Sequence, residues 1–308
     1  MKIFRHRVHC SYIFIICLCA AGFPLLLLAE INPKEYIDQL GRTVRIKNPP
    51  LRIVSLAPSI TEIVFALGQQ NRLVGATRFS DYPAEAKNLP RVGSYVHLDL
   101  ERIVALKPDL CIAIKDGNPK GIIDRLESFQ IPVYVIHPQN LAGVMKAIQE
   151  MARLLGAEEK ARSLLRDMKL RLDRVESMVS RIASRPRVFF QIGISPIVSV
   201  GTDTFINELI VRAGGVNLAK GPVPYPRFSR EQVLDLNPDI LIITSMSRSA
   251  IFRKVKAQWS RWKNMEAVRN RRIFMVDSNL FDRPTPRLLD GLELLVRLLH
   301  PAVLKEGP

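Results

Sequence analysis

Cysteine is almost absent from the body of this chain. Of the four cysteines in 308 residues, Cys10, Cys17 and Cys19 lie in the first 29, and only Cys111 lies beyond them. No disulfide can form within the remainder, and Cys111, set in an apolar run, reads as a small buried hydrophobe rather than a nucleophile. Histidine is as scarce: past residue 29 there are His97, His137 and His300, scattered along the chain. The densest metal-ligand candidate, His97 with Asp99 and Glu101, contains one histidine, so no dedicated metal site is expected. The patterns G-x-G-x-x-G, G-x-x-x-x-G-K-[ST], C-x-x-C, H-E-x-x-H and G-x-S-x-G are all missing, and the nearest approach, Gly193-Ile194-Ser195-Pro196-Ile197, lacks the last glycine. With no nucleophile beside a base, neither an enzyme nor a resident cofactor is expected.

Acidic residues are also in short supply, 29 against 45 basic ones, for a formal charge of +16. Basic residues are densest between Arg248 and Arg272, where Glu266 is the single acid. No nucleic-acid-binding motif accompanies them, and the leader described next argues against such a partner. A solvated basic face is expected, with attraction to an anionic ligand or a membrane surface as the alternative.

Residues 1–29 combine Lys2, Arg5 and Arg7 with an apolar run from Ser11 to Leu28 and a small residue, Ala29. This is the layout of a cleaved export signal, which makes the remainder extracytoplasmic and periplasmic. The alternative is an uncleaved anchor, because the run approaches the ~20 residues of a membrane helix and Leu27 is a poor −3 residue. Removing the leader lowers the charge from +16 to +13, since it holds those three cations and no acid.

The whole chain is 47% hydrophobic, and the body is long enough for two cores. From Ala157 to Ala183 the apolar residues Ala161, Leu165, Met168, Leu172, Val175, Val179 and Ile182 recur at steps of four and three. That spacing predicts one long amphipathic helix, a rod of roughly 40 Å. What precedes the rod recurs after it. Leu100-Glu101-Arg102-Ile103-Val104-Ala105-Leu106-Lys107-Pro108-Asp109 aligns with Arg230-Glu231-Gln232-Val233-Leu234-Asp235-Leu236-Asn237-Pro238-Asp239, and each is followed by an apolar run. Both copies predict a short helix opened by glutamate, a Pro-Asp stop and a buried strand. The expected fold is therefore α/β: a first lobe over residues 30–156, a linking helix over 157–184, a second lobe over 185–308, and a ligand cleft between the lobes.

Finer readings place a hairpin or loop between Asn32 and Pro50, turning at Leu40-Gly41-Arg42. A hairpin-like pair is expected over Ile197 to Val200, and a proline-stiffened loop over Val223 to Glu231. The loops Arg78–Pro83 and Val92–His97 follow strand-like runs, where α/β sheets bind ligands. Aromatics at the expected cleft, Phe79, Tyr95 and Tyr225, are either core residues or ligand platforms on sequence grounds alone.

Arg52-Ile53-Val54-Ser55-Leu56-Ala57-Pro58-Ser59-Ile60-Thr61-Glu62, Phe79-Ser80-Asp81-Tyr82-Pro83, the stretch from Leu100 to Asp109 and the stretch from Val223 to Gln232 occur here in that order. In this combination the chain resembles the helical-backbone (class III) periplasmic substrate-binding proteins of ABC importers, most of all the cobalamin-binding members. The resemblance runs from about Leu51 to Leu299. It implies two α/β lobes on one rigid helix, small domain closure and a monomer that delivers its ligand to a permease dimer with its ATPase. Carried over by position, it puts Phe79, Tyr95, Val198, Tyr225, Asn279 and Arg283 around the ligand, and Glu101 and Glu231 on arginines of the permease. Cobalamin binders have Trp where this chain has Tyr95 and Tyr225, Phe at Val198 and Asp at Asn279. A corrinoid is the implied ligand. Haem, for which Tyr95 would match an iron-binding tyrosine, and ferric siderophores are the alternatives. An extracytoplasmic hydrolase or structural protein on the same two-lobed shell is the competing function class.

Overall fold

A computed structural model of the chain describes residues 33–244 and 250–301. The leader reading over residues 1–29, and Arg248 at the head of the basic run, fall outside the described residues.

The first lobe opens on the antiparallel hairpin β1 (Lys34–Ile37) and β2 (Thr43–Ile46). Its turn is tied by the buried Asp38 carboxylate, which accepts the amides of Leu40 and Arg42. There follow β3 (Ile53–Ser55), α1 (Pro58–Ala66), β4 (Leu73–Ala76), α2 (Leu100–Ala105), β5 (Leu110–Ile114), α3 (Lys120–Ser128), β6 (Val133–Ile136) and α4 (Leu141–Leu155). The strands lie in the order β4-β3-β5-β6, all parallel. Ile53, Val54 and the run Leu110 to Ala113 are buried, because a parallel sheet carries helices on both faces and cannot alternate apolar with polar. Cys111 is wholly buried there, and desolvation pushes its thiol far above the ordinary range.

Gly156, in the left-handed region at φ +62°, ends α4 and turns the chain into α5 (Glu158–Ser180). The second lobe contains β7 (Arg187–Gln191), β8 (Gly193–Ile194), β9 (Ile197–Val198), α6 (Phe205–Arg212), β10 (Val216–Asn217), β11 (Arg227–Phe228), α7 (Arg230–Leu236), β12 (Ile240–Ile243), α8 (Ala250–Trp259), α9 (Glu266–Arg269), β13 (Ile273–Met275) and α10 (Leu288–Leu299). Its main sheet, β10-β7-β12-β13, is again all parallel. A small antiparallel sheet, β11-β9-β8, stands beside it. The stretch from Val223 to Glu231 is thus not all loop: past Pro226, Arg227 and Phe228 pair with β9, since prolines withhold donors only at their own positions.

The long helix packs on α4 on one side and on α6 and α10 on the other. Ala161, Met168, Val175 and Val179 are buried along it, while Leu165 and Leu172 are half-buried against the same core. Arg171 of α5 donates to Asp290 and Glu293 of α10 at 2.6 and 2.8 Å. The helix is 23 residues long, roughly 35 Å, and stops short of Ala183. Arg181 closes its last turn, and Ile182, in register with the apolar stripe, lies past the end in the approach to Pro186.

The sequence repeat is a structural one. Asp109 accepts the amides of Leu51 and Arg52 at 2.9 Å each, while Arg52 donates to the carbonyls of Leu106 and Lys107 at the end of α2. In the second lobe Asp239 accepts the amide of Arg187 at 2.8 Å, and Arg187 donates to the carbonyls of Leu236 and Asn237 at the end of α7. In both copies the residue before Pro-Asp is left-handed, Lys107 at φ 46° and Asn237 at φ 40°. Each arginine-aspartate clamp satisfies terminal helix carbonyls and fixes where the next strand starts.

Candidate ligand-binding cleft

A cavity of about 700 Å³ lies between the lobes. Its walls are loops at the C-terminal ends of the parallel strands, where strand ends diverge and leave room for a ligand. The first lobe contributes Ala57, Pro58 and Ser59 at the start of α1, Phe79 and Asp81 after β4, Tyr95, and Asp116 and Gly117 after β5. From the second lobe come Ile192, Phe205, Tyr225, Asn279, Asp282 and Arg283.

Tyr95 occupies a tight loop. Ser94 and His97 are bonded through the Ser94 amide to the His97 carbonyl and the His97 amide to the Ser94 hydroxyl, both at 2.9 Å. Gly93 closes this loop at φ +94°, where an added Cβ would lie 2.4 Å from the His97 carbonyl oxygen. The Tyr95 ring lies over Gly117, whose absent Cβ would meet it at 3.1 Å. Asn118, buried, donates to the carbonyls of Tyr95 and Leu56 at 2.8 Å and accepts the Ile114 amide at 2.8 Å, so one side chain ties three wall segments together. Phe79 meets Tyr95 edge-on, ring centroids 6.2 Å apart, and the Arg78 guanidinium lies 4.9 Å from the centre of the Phe79 ring. The Phe79 loop is held from beneath by buried hydroxyls of Ser55, Thr61, Thr77 and Ser80, linked at 2.8 to 3.0 Å. Arg91 completes the support by donating to the Thr77 and Ser80 carbonyls.

Arg283 lines the cavity but is not a free cation. It donates to Glu62 at 2.8 Å and to the Phe79 carbonyl at 3.0 Å, and pairs with Asp81 at 3.0 Å. Arg287 stands 3.5 Å from the other Glu62 oxygen and 3.9 Å above the Tyr82 ring. Glu62, on α1, is 4% exposed, and all these contacts run between lobes. Burial raises the Glu62 carboxyl, against the pull of Arg283 and Arg287 toward the ionised form. Sequence reasoning did not single out Glu62, although a lone glutamate inside the apolar helix segment Ile60 to Phe65 is the signal that marks a paired buried charge.

At the lip, Tyr225 is half-exposed and approaches acids of both lobes. Burial raises its phenol, and Asp116 and Asp282 raise it further. Asp116 is 3.2 Å from the His137 ring. The Asp282 carboxyl is pushed up to about 7 by burial, which outweighs the downward pull of Arg283, with Asp277 adding a smaller push upward.

Of the residues placed around the ligand by resemblance, Phe79, Tyr95, Tyr225, Asn279 and Arg283 converge on the cavity. Val198 is not part of its lining. It sits on β9, paired with Arg227 and with Gly193, and its side chain fills the space over that glycine. Glu101 and Glu231 do not line the cavity: each is exposed in the first turn of its helix, behind the caps Asp99 and Ser229. A hydrogen bond from its own backbone amide, and then one from the Ser229 hydroxyl, hold the Glu231 carboxyl below the usual range. Asp99 caps α2 and pairs with Arg102 at 3.0 Å.

A family model described as periplasmic binding protein matches residues 53–280. The chain belongs to the periplasmic binding protein family. As a periplasmic binding protein it is a solute binder and not an enzyme, and its two lobes on one helix are those of the helical-backbone class. A vitamin B12-binding protein of Vibrio parahaemolyticus is 32% identical over 260 residues, 83% of this chain and 92% of the relative. The crystal structure of the periplasmic vitamin B12-binding protein BtuF of Vibrio cholerae matches with a TM-score of 0.74 at 30% identity, over 84% of this chain and 99% of that one. The periplasmic haem-binding protein RhuT of Roseiflexus sp. RS-1 matches with a TM-score of 0.74 at 27% identity, over 82% and 98%.

Proposed function

We propose that this periplasmic binding protein captures a corrinoid outside the cytoplasm and delivers it to the permease dimer and ATPase of an ABC importer. The observation that carries the reading is the aromatic cleft, Phe79 and Tyr95 on one wall and Phe205 and Tyr225 on the other, in a chain one-third identical to a vitamin B12-binding protein. A flat macrocycle entering there covers ring faces that water now reaches, and apolar burial at about 25 cal/mol per Å² makes each ring worth roughly 1–3 kcal/mol. Tyrosines in place of tryptophans keep the stacking faces and add hydroxyls at the rim. Arg283, fixed by Glu62 and Asp81, orients a donor edge rather than supplying an unpaired charge.

The test is absorbance of purified protein mixed with cobalamin, haemin and a ferric siderophore, followed by calorimetric titration. Cobalamin should bind tightest, and the Phe79→Ala/Tyr95→Ala/Tyr225→Ala variant should lose at least tenfold in affinity. Unchanged affinity in that variant sinks the cleft assignment. A haem reading rests on Tyr95, which faces the cavity; it replaces the corrinoid one if haemin binds tightest and Tyr95→Phe abolishes its binding. In delivery, Glu101 and Glu231, exposed at equivalent helix starts of the two lobes, meet one arginine site on each permease subunit.

A further inference from the structure

The second lobe carries a surface that neither ligand binding nor lobe pairing uses. Between Lys254 and Arg272 there are seven basic residues and one acid. Six of the seven, Lys254, Lys256, Arg261, Lys263, Arg269 and Arg271, are exposed. The acid, Glu266, is already taken by Arg269 at 2.7 Å and by Asn270 at 2.9 Å. Amid these cations stands Trp262, 43% exposed, with Arg261 and Lys263 on either side in the chain.

An indole held in water has an apolar area that the fold leaves uncovered, and here its position is rigid. The Trp262 amide donates to the Trp259 carbonyl, and the Met265 amide donates to the Trp262 carbonyl. Trp259 and Met265 are both 3% exposed, and the Trp259 indole donates to Gln191 at 2.9 Å. The turn is anchored in the core while its middle residue projects. A tryptophan flanked by lysine and arginine is the composition that settles at a membrane surface, where the ring enters the headgroup layer and the cations meet lipid phosphates.

Position agrees with this occupant. Arg261, Trp262 and Lys263 line a shallow groove with Leu234 and Asn237 of the α7 end. Leu234 is three residues after Glu231, so the groove and Glu231 share one face of α7. We infer that the Arg261-Trp262-Lys263 ridge docks on anionic phospholipid headgroups, beside the surface that Glu231 presents. The juxtaposition with Glu231 rests on the permease-docking reading, whereas vesicles contain no permease and test the ridge on its own.

The experiment uses the mature chain, residues 30–308, which contains the whole compact unit starting at Asn32. It is sedimented with vesicles of phosphatidylcholine alone or enriched in phosphatidylglycerol. Binding should require phosphatidylglycerol and should vanish between about 0.01 M and about 1 M salt, as the screening length falls from about 30 Å to about 3 Å. Each cation near a membrane surface is worth about fivefold in partitioning, so Arg261→Gln/Lys263→Gln should bind roughly 25-fold more weakly. Only two tryptophans exist, and Trp259 is buried, so a blue shift of emission on vesicle binding reports Trp262 and should be lost in Trp262→Phe. Equal binding to both vesicles, unchanged partitioning of the double variant or an unmoved emission overturns the inference. So does preference for a DNA duplex over anionic vesicles, which would assign the ridge to nucleic acid. Cobalamin affinity measured on the same variants stays at the wild-type value, so failure here is distinct from failure of the ligand assignment.

Discussion

Replacing Glu62 by Gln removes the shared anion of the inter-lobe network while keeping its volume. The Glu62 side chain is 2% exposed and those of Arg283 and Arg287 are 12% and 17% exposed, so water screens little of the loss. Removing one partner of a buried pair costs about 3–5 kcal/mol, because the other charge stays desolvated. Arg283 retains Asp81 and the Phe79 carbonyl, and Arg287 retains the Tyr82 ring, which lowers the expectation to about 2–3 kcal/mol. Urea denaturation at pH 7, extrapolated linearly, measures it. A double-mutant cycle with Arg283→Met should return a coupling of about 1 kcal/mol or more, since the two groups are in direct contact. The exposed pair Arg45–Glu35 serves as the control and should yield about 0.5 kcal/mol or less when broken. A loss at Glu62 no larger than at that control refutes the view that buried charge joins the lobes.

Asn118→Ala leaves the Ile114 amide and two carbonyls unpaired in the core and should cost about 2–4 kcal/mol. Cobalamin affinity should fall with it, as the Tyr95 loop loses its tether; calorimetry and thermal melts read both effects. Asp282 has a folded pKa of about 7, raised from 3.8, so its protonated folded form is favoured at low pH. Its contribution is complete below about pH 4 and is lost as pH rises through about 7. Asp282→Asn should flatten that slope and raise the melting temperature at pH 8, and an unchanged slope would contradict the assignment. Glu101→Ala/Glu231→Ala should abolish transport in proteoliposomes holding the cognate importer, with ligand affinity intact; wild-type transport by this variant would remove both residues from docking.

The Pro-Asp repeat was readable because it is local: a helix stop and the strand after it follow from neighbours in the chain. What each aspartate binds was not, since the Arg52 and Arg187 amides lie 57 and 52 residues away in sequence. The rod was readable from its apolar period, but its end was not, because Ile182 keeps the period while the chain has already left the helix. The cleft aromatics fell in loops whose side chains face inward for reasons of turn geometry at Gly93 and packing at Gly117. Periodicity carries no information on such loops. Val198 shows the converse: a position named by resemblance lies outside the cavity lining, because the valine packs over Gly193 within a three-stranded sheet. The Glu62 pairing spans 221 residues, and only the unusual charge in an apolar helix hinted at it.

Each main sheet is drawn from one uninterrupted stretch, the first from Ile53 to Ile136 and the second from Arg187 to Met275. A chain delivered to the far side of a membrane N-terminus first can therefore finish its first sheet before any strand of the second has arrived. Until residues 283 to 287 emerge, Glu62 has no guanidinium to face. The half-made protein meets solvent with an open ionised cleft wall, which disfavours burial of that wall against another apolar surface. A chain delivered in that direction would have sheet one, the long helix and sheet two in place before the ionic contacts of Glu62 with Arg283 and Arg287 could join the lobes.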